Sequence, residues 1–288
     1  MSDTLLTFNP APSKPQLKLP PGACDSHVHV FGPAVRFPFS ADRHITPADA
    51  PKEKLFALHK HLGISRCVIV QSAIHAFDNS AAEDAIAAGG GHYLGVALVP
   101  PDVPDAELLR LKAAGFRGIR FNFMPHLAGA ATPQQAMAMS HRLAPLGMHL
   151  QVHFASRLIH ELSAILKTSA VPVVIDHMGR VDAALGPNHA EFRALCTLME
   201  DPLFYMKVSG ADRIDATPPY KQGAALARQL VESFPDRCFW GTDWPHPNHT
   251  HIPDDGMLVD TLQRIAPTPE LLEKLLVTNP QNFYRFEA

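Results

Sequence analysis

The sequence predicts an α/β chain folded as a single (β/α)8 barrel. Three observations lead there. Eight short apolar runs with strand character recur along the chain, a helix-patterned stretch separates each from the next, and no break in composition marks a second domain. Such alternation means parallel pairing through right-handed crossovers. Eight units within 288 residues suit a closed TIM barrel better than an open sheet. The open alternative would want a Gly-x-Gly-x-x-Gly turn after the first strand, and none is there.

Residues 1–20, rich in proline, read as an extended arm, and residues 21–288 as the barrel. In the run 23–32, Val28 and Val30 alternate with His27 and His29, which is strand periodicity, and Gly32-Pro33 closes it. Helical spacing over 54–62 ends at Gly63 and leads to a short strand at 67–71. An alanine-rich helix over 81–88 precedes strand 94–99, which Pro100-Pro101 stops. Helix 106–114 and strand 118–123 follow, then helix 133–143 and the alternating strand 149–154. Helix 158–167 leads to strand 171–177, helix 191–199 to strand 204–209, and helix 222–234 to strand 237–243. Helices near 257–265 and 269–276 finish the chain.

A net charge of −3 and a pI near 6.6 leave no basic footprint for nucleic acid. No apolar run has membrane-spanning length, and residues 1–19 lack the basic-then-apolar order of a leader. The four cysteines show no Cys-x-x-Cys spacing; Cys24, Cys67 and Cys238 sit in or beside apolar strands, where buried thiols are expected. These features point to the cytoplasm. A homo-oligomer is left open.

On a strand, residues two apart share a face, so His27 and His29 point the same way. In a barrel the C-terminal ends of the strands converge on one mouth. Strand four brings Arg120 and Asn122 there, strand five His153, strand six His177, strand seven Ser209 with Arg213 beyond it, and strand eight Asp243. Any one of these is explained as a hydrogen-bonded structural residue; four histidines and an aspartate at one mouth are not. His59 and His61 lie on a helix and read as solvated, and Trp244 reads as packing or pocket wall.

The segments Asp25-Ser26-His27-Val28-His29, Asp176-His177-Met178-Gly179-Arg180 and Gly241-Thr242-Asp243-Trp244-Pro245-His246-Pro247-Asn248 resemble the amidohydrolase superfamily. More narrowly, the chain resembles its lactonase branch from about Pro12 to Tyr284, with further matches at 35–40, 118–123 and 252–256. The resemblance implies a barrel of the amidohydrolase type that opens a carboxylated lactone, 2-pyrone-4,6-dicarboxylate or a related muconolactone-type or sugar-acid lactone. It implies Asp243 as general base for the attacking water and His27, His29 and His177 as holders of the carbonyl oxygen. Arg120, Arg180 and Arg213 match arginines that grip substrate carboxylates, a task suited to the planar guanidinium fork.

The chain also departs from that pattern. Where the branch places two tyrosines and a further arginine near the substrate, this sequence has Ile45, His153 and His126. In metal-dependent relatives a strand-five histidine completes a ligand set, which here would be His27, His29, His153 and Asp243 around one Zn2+ with an open position. No Lys or Glu ends strand four to bridge a second metal. One bound Zn2+ and no cofactor both stay open. So does a mononuclear-metal decarboxylase of the same superfamily, acting on an aromatic or muconate-type acid. A binding protein that has lost catalysis would be marked by loss of Asp243, which is present.

Overall fold

Eight strands pair side by side in chain order, all parallel: β1 (Cys24–Val28), β2 (Arg66–Val70), β3 (Tyr93–Ala97), β4 (Phe116–Phe123), β5 (His149–Phe154), β6 (Val173–Ile175), β7 (Phe204–Lys207) and β8 (Cys238–Phe239). The computed structural model describes residues 4–123, 131–247 and 251–287. Between the strands lie α1 (Lys52–Leu62), α2 (Ser80–Ala88), α3 (Asp105–Ala113), α4 (Pro133–Leu143), α5 (Ile159–Leu166), α6 (Ala190–Met199), the short α7 (Ala211–Ile214) and α8 (Lys221–Ser233). After β8 come α9 (Asp255–Ile265), α10 (Pro269–Glu273) and α11 (Asn279–Tyr284). This is the expected (β/α)8 TIM barrel.

The longer helices each bury one apolar stripe. In α8 the buried positions Gly223, Ala224, Ala227, Leu230 and Val231 recur at helical spacing. Inside the barrel, Cys24, Val68, Val70, Leu94, Val96, Val174 and Phe239 form a second cluster, closed from below by Tyr284 and Phe286 of the C-terminal segment. All four cysteines are free thiols, and three of them are buried.

The ring closes between β8 and β1 through side chain as well as main chain. Ser26 N–H donates to the Trp240 carbonyl at 2.8 Å and Asp243 N–H to the His27 carbonyl at 2.8 Å. Between them the Asp25 carboxylate accepts from His27 N–H and Thr242 N–H, each at 3.1 Å, and from the Thr242 hydroxyl at 2.6 Å. The eighth strand, expected over 237–243, is therefore regular only at Cys238–Phe239: beyond it, a carboxylate receives the bond that a ladder would receive. Gly241 permits this approach, since a Cβ there would stand 2.5 Å from the His27 nitrogen and 2.6 Å from Asp25 Oδ1.

Two further expectations change. The sixth strand stops at Ile175 because the chain turns at His177, Met178 and Gly179, with φ of +49°, +53° and +59°. His59 is not solvated: it is 1 % exposed, 2.8 Å from the Tyr93 hydroxyl and 3.6 Å from Asp25. Trp244 is buried against Phe8, with ring centroids 5.3 Å apart. The N-terminal stretch lies along α9, where Asp254 accepts from Ser13 N–H at 2.9 Å and Asp260 from Gln16 and Leu17 N–H at 2.8 Å. Among the described residues no helix is long and apolar enough to cross a membrane.

Gly241→Ala should destabilise the protein by about 1–3 kcal/mol, because backbone and a buried carboxylate occupy the space its methyl needs. Calorimetry reads this as a lower Tm, and an unchanged Tm would show that the β1–β8 seam is slack.

Candidate active site

Strand ends bring the polar residues together as the sequence pattern requires. His27 comes from β1 and His29 from just past its end, while His177 sits in the turn after β6 and Asp243 in the loop after β8. Asp243 is completely buried, and its Oδ1 faces three imidazole nitrogens: His29 Nε2 at 3.2 Å, His27 Nε2 at 3.6 Å and His177 Nε2 at 3.7 Å. Its other oxygen, Oδ2, accepts from the Arg213 guanidinium, which also donates to the Pro247 carbonyl at 2.8 Å. Asp243 itself has a positive φ of +65°, as does His177 at +49°. Left-handed backbone at two non-glycine residues is local strain held by the surrounding packing.

The electrostatics follow from burial set against these partners. Burial alone would raise the Asp243 pKa, but Arg213 and then His177 hold its carboxyl well below the usual range, so it stays ionised. His177 is pushed well below the ordinary histidine value by burial, and His27 to about 3 by burial and then by the nearby Lys207 ammonium. His153 is lowered by burial and by Arg120. His27, His153 and His177 are thus neutral near pH 7, and each carries one proton to place.

Of the three arginines expected to grip a substrate, two are already engaged. Arg213 holds Asp243, and Arg120 donates through Nε to Asp176 Oδ2 at 2.8 Å. Only Nε of Arg120 makes a hydrogen bond among the described residues, so its terminal nitrogens keep their donors. Arg180 has no hydrogen-bond or ion-pair partner among the described residues; burial and then Arg213 bring its pKa down to about 10, which leaves it charged near pH 7.

His153 stands beside His177, ring centroids 5.7 Å apart, with its Nδ1 3.2 Å from Asn122 Oδ1 and its Nε2 without a hydrogen-bond partner. Ile45 is half-buried against the core. His126 lies outside the described residues.

Sequence reading missed two residues that matter here. Asp176, fully buried, joins Arg120 to His27, its Oδ1 lying 3.3 Å from His27 Nδ1. Lys207, also fully buried, sits on β7 with Nζ 3.4 Å from the same Nδ1. Burial lowers the Lys207 pKa to about 8, against the pull of Asp176. A cation inside the apolar run Phe204-Tyr205-Met206-Lys207-Val208 was the available signal, the same one that marks Arg120.

Two groups of potential ligands have all their donor atoms within 4.8 Å of one another among the described residues: His27, His29 and Asp243; and His27, Asp176 and His177. His153 is in neither, so the expected four-ligand set is not assembled. His29 supplies the chemical test of fit. Its Nδ1 lies 2.6 Å from the Val70 carbonyl, a pure acceptor, so that nitrogen carries the proton. Its Nε2 faces Asp243 Oδ1 at 3.2 Å, a contact that an N–H on Nε2 satisfies as a hydrogen bond and that a cation shared by the two atoms satisfies equally. The spacing of His29 and Asp243 therefore fits a single metal ion.

The amidohydrolase family model matches residues 24–286 of the chain. The chain is 45% identical over 284 residues to 2-pyrone-4,6-dicarboxylate hydrolase of Comamonas testosteroni, covering 95% of this chain and 93% of that one. It is 38% identical to 4-sulfomuconolactone hydrolase of Hydrogenophaga intermedia, covering 92% and 89% of the two chains. Among solved structures, a probable 2-pyrone-4,6-dicarboxylic acid hydrolase of Acinetobacter baumannii with citric acid bound superposes with a TM-score of 0.82 at 25% identity, over 92% of this chain and 100% of that one.

Arg213→Met should move the acid limb of the kcat/KM profile to higher pH. Arg213 holds the Asp243 pKa down, so its removal lets that pKa rise and protonates the carboxylate earlier as pH falls. A pH–rate profile whose acid limb stays in place would remove Arg213 from this role.

Proposed function

Since the chain belongs to the amidohydrolase family, we propose that it is a lactone hydrolase opening a carboxylated cyclic ester, 2-pyrone-4,6-dicarboxylate or a related muconolactone-type or sugar-acid lactone. The observation that carries this reading is the ionised Asp243, with Oδ1 among three imidazoles, at a mouth that also holds Arg180, which has no ion-pair partner among the described residues. Both curated relatives described above are named as hydrolases of cyclic esters bearing acid groups. Those names give the decarboxylase reading no support.

The steps follow from which groups donate and which accept. A water beside Asp243 Oδ1 attacks the lactone carbonyl carbon and gives its proton to that oxygen. The carbonyl electron pair moves onto oxygen, where N–H donors of the imidazoles stabilise the oxyanion in a site closed to bulk water. Collapse of the tetrahedral adduct breaks the ring C–O bond. The proton held by Asp243 goes to the departing oxygen, and the new carboxylic acid ionises, releasing one proton to solvent. Arg213 keeps Asp243 ionised and aimed. Arg180 and the terminal nitrogens of Arg120 receive the substrate carboxylate, with His153 and Ile45 shaping the wall.

A single Zn2+ would be held by His29 and Asp243, with the His27 ring beside them, and when bound it would lower the pKa of a water and polarise the carbonyl. No step above passes through it.

A pH-indicator assay for acid release, run on 2-pyrone-4,6-dicarboxylate and on muconolactones and sugar-acid lactones, with and without chelator, should show ring opening with no loss of CO2. Silence across the panel, or CO2 release from an aromatic acid, overturns the reading. Asp243→Asn should cost about 10²–10⁴-fold in kcat while substrate still binds, and near-normal turnover would exclude it as the base. Arg180→Met should raise KM roughly 10–100-fold with kcat little changed; an unaltered KM places the carboxylate elsewhere.

A further inference from the structure

We propose that Lys207 is a positioning residue: it fixes the proton of His27 on Nε2, making His27 a hydrogen-bond donor to the reaction site and an unwilling metal ligand. Lys207 has no exposed surface, and its Nζ lies in hydrogen-bonding geometry 3.4 Å from His27 Nδ1. An ammonium nitrogen has donors and no lone pair, so His27 Nδ1 must be the acceptor. The one proton of a neutral ring is then on Nε2.

Asp176 competes for Nδ1. Its Oδ1 is 3.3 Å away, and a proton on Nδ1 would suit it. Among the described residues Oδ1 has no hydrogen-bond partner at good angles, whereas Oδ2 is taken by Arg120, so Asp176 acts on the His27 ring chiefly through its charge at 3.3 Å. Geometry therefore favours the lysine. His27 Nε2 is itself buried and without a hydrogen-bond partner, 3.6 Å from Asp243 Oδ1. It is an N–H aimed at the place where a water or an oxyanion would lie.

His29 is arranged the other way. The Val70 carbonyl keeps a proton on its Nδ1. The two rings of the His-x-His pair thus use Nδ1 differently, one accepting from a lysine and the other donating to a backbone carbonyl. For Zn2+ to take His27 as a ligand, the proton must move to Nδ1, where it would point at the Lys207 N–H groups. Packing explains little of this residue: a methionine fills the same space without the cost of burying an ammonium.

The test uses the full chain, stripped of metal. Lys207→Met should bind Zn2+ about tenfold more tightly than the parent in competition with a chromogenic chelator, as expected for a changed partner behind a ligating histidine. The gain should vanish in the double variant Lys207→Met/His27→Ala. Turnover of Lys207→Met in chelator should fall with KM held within about twofold, since the lost group orients a donor and does not touch substrate. Long-range 15N–1H spectra of the parent should place the His27 proton on Nε2. Equal zinc affinity in a folded Lys207→Met, or a gain that survives loss of His27, overturns the proposal. So does a parent spectrum with the proton on Nδ1, which decides the matter even where the variant does not fold. The zinc and spectral readouts are independent of the substrate, so they separate this inference from the lactone hydrolase reading.

Discussion

The structure depends on keeping a carboxylate ionised at a point with no exposed surface. Asp243 meets that demand with a guanidinium on one oxygen and imidazoles around the other. Charge burial without partners costs several kcal/mol per ion, so each partner must be held in turn. The Pro247 carbonyl holds Arg213, the Val70 carbonyl holds His29, and the Ser209 hydroxyl stands 3.0 Å from His177 Nδ1. The barrel seam belongs to the same system. Asp25 ties Thr242 to His27, and so fixes the distance between the base and the first of its imidazoles.

How much of this the sequence discloses depends on whether the cause is local. Alternating apolar strands and helical stripes are local, and the barrel was legible from them. The convergence of His27, His29, His177 and Asp243 follows from topology once the barrel is granted. What stayed hidden was pairing across the barrel. Arg120 reads as a charge needing a partner, but nothing near it names Asp176, 56 positions away. His59 reads as a solvated helix residue because Tyr93 and Asp25, its partners, lie on other elements. Lys207 bore the same signal as Arg120 and was passed over. For His153 the pattern of metal-dependent relatives implies a ligand, and its ring sits beside His177 and outside both ligand groups.

Charge balance connects this interior to substrate choice. Asp25, Asp176 and Asp243 have no exposed surface; Arg120 pairs with Asp176 and Arg213 with Asp243, while Asp25 is held by main-chain and hydroxyl donors. Arg180 stands outside that balance, partly desolvated, charged near pH 7 and without an ion-pair partner among the described residues. A neutral lactone would bury that guanidinium further and leave it unmatched, whereas a carboxylated one supplies the missing charge. Discrimination of this kind comes from the unpaired group left behind by the wrong ligand, and it is stronger than any gained from shape alone. On the lactone hydrolase reading proposed above, an acid group on the substrate would meet Arg180, and a ligand without one would leave that guanidinium unmatched.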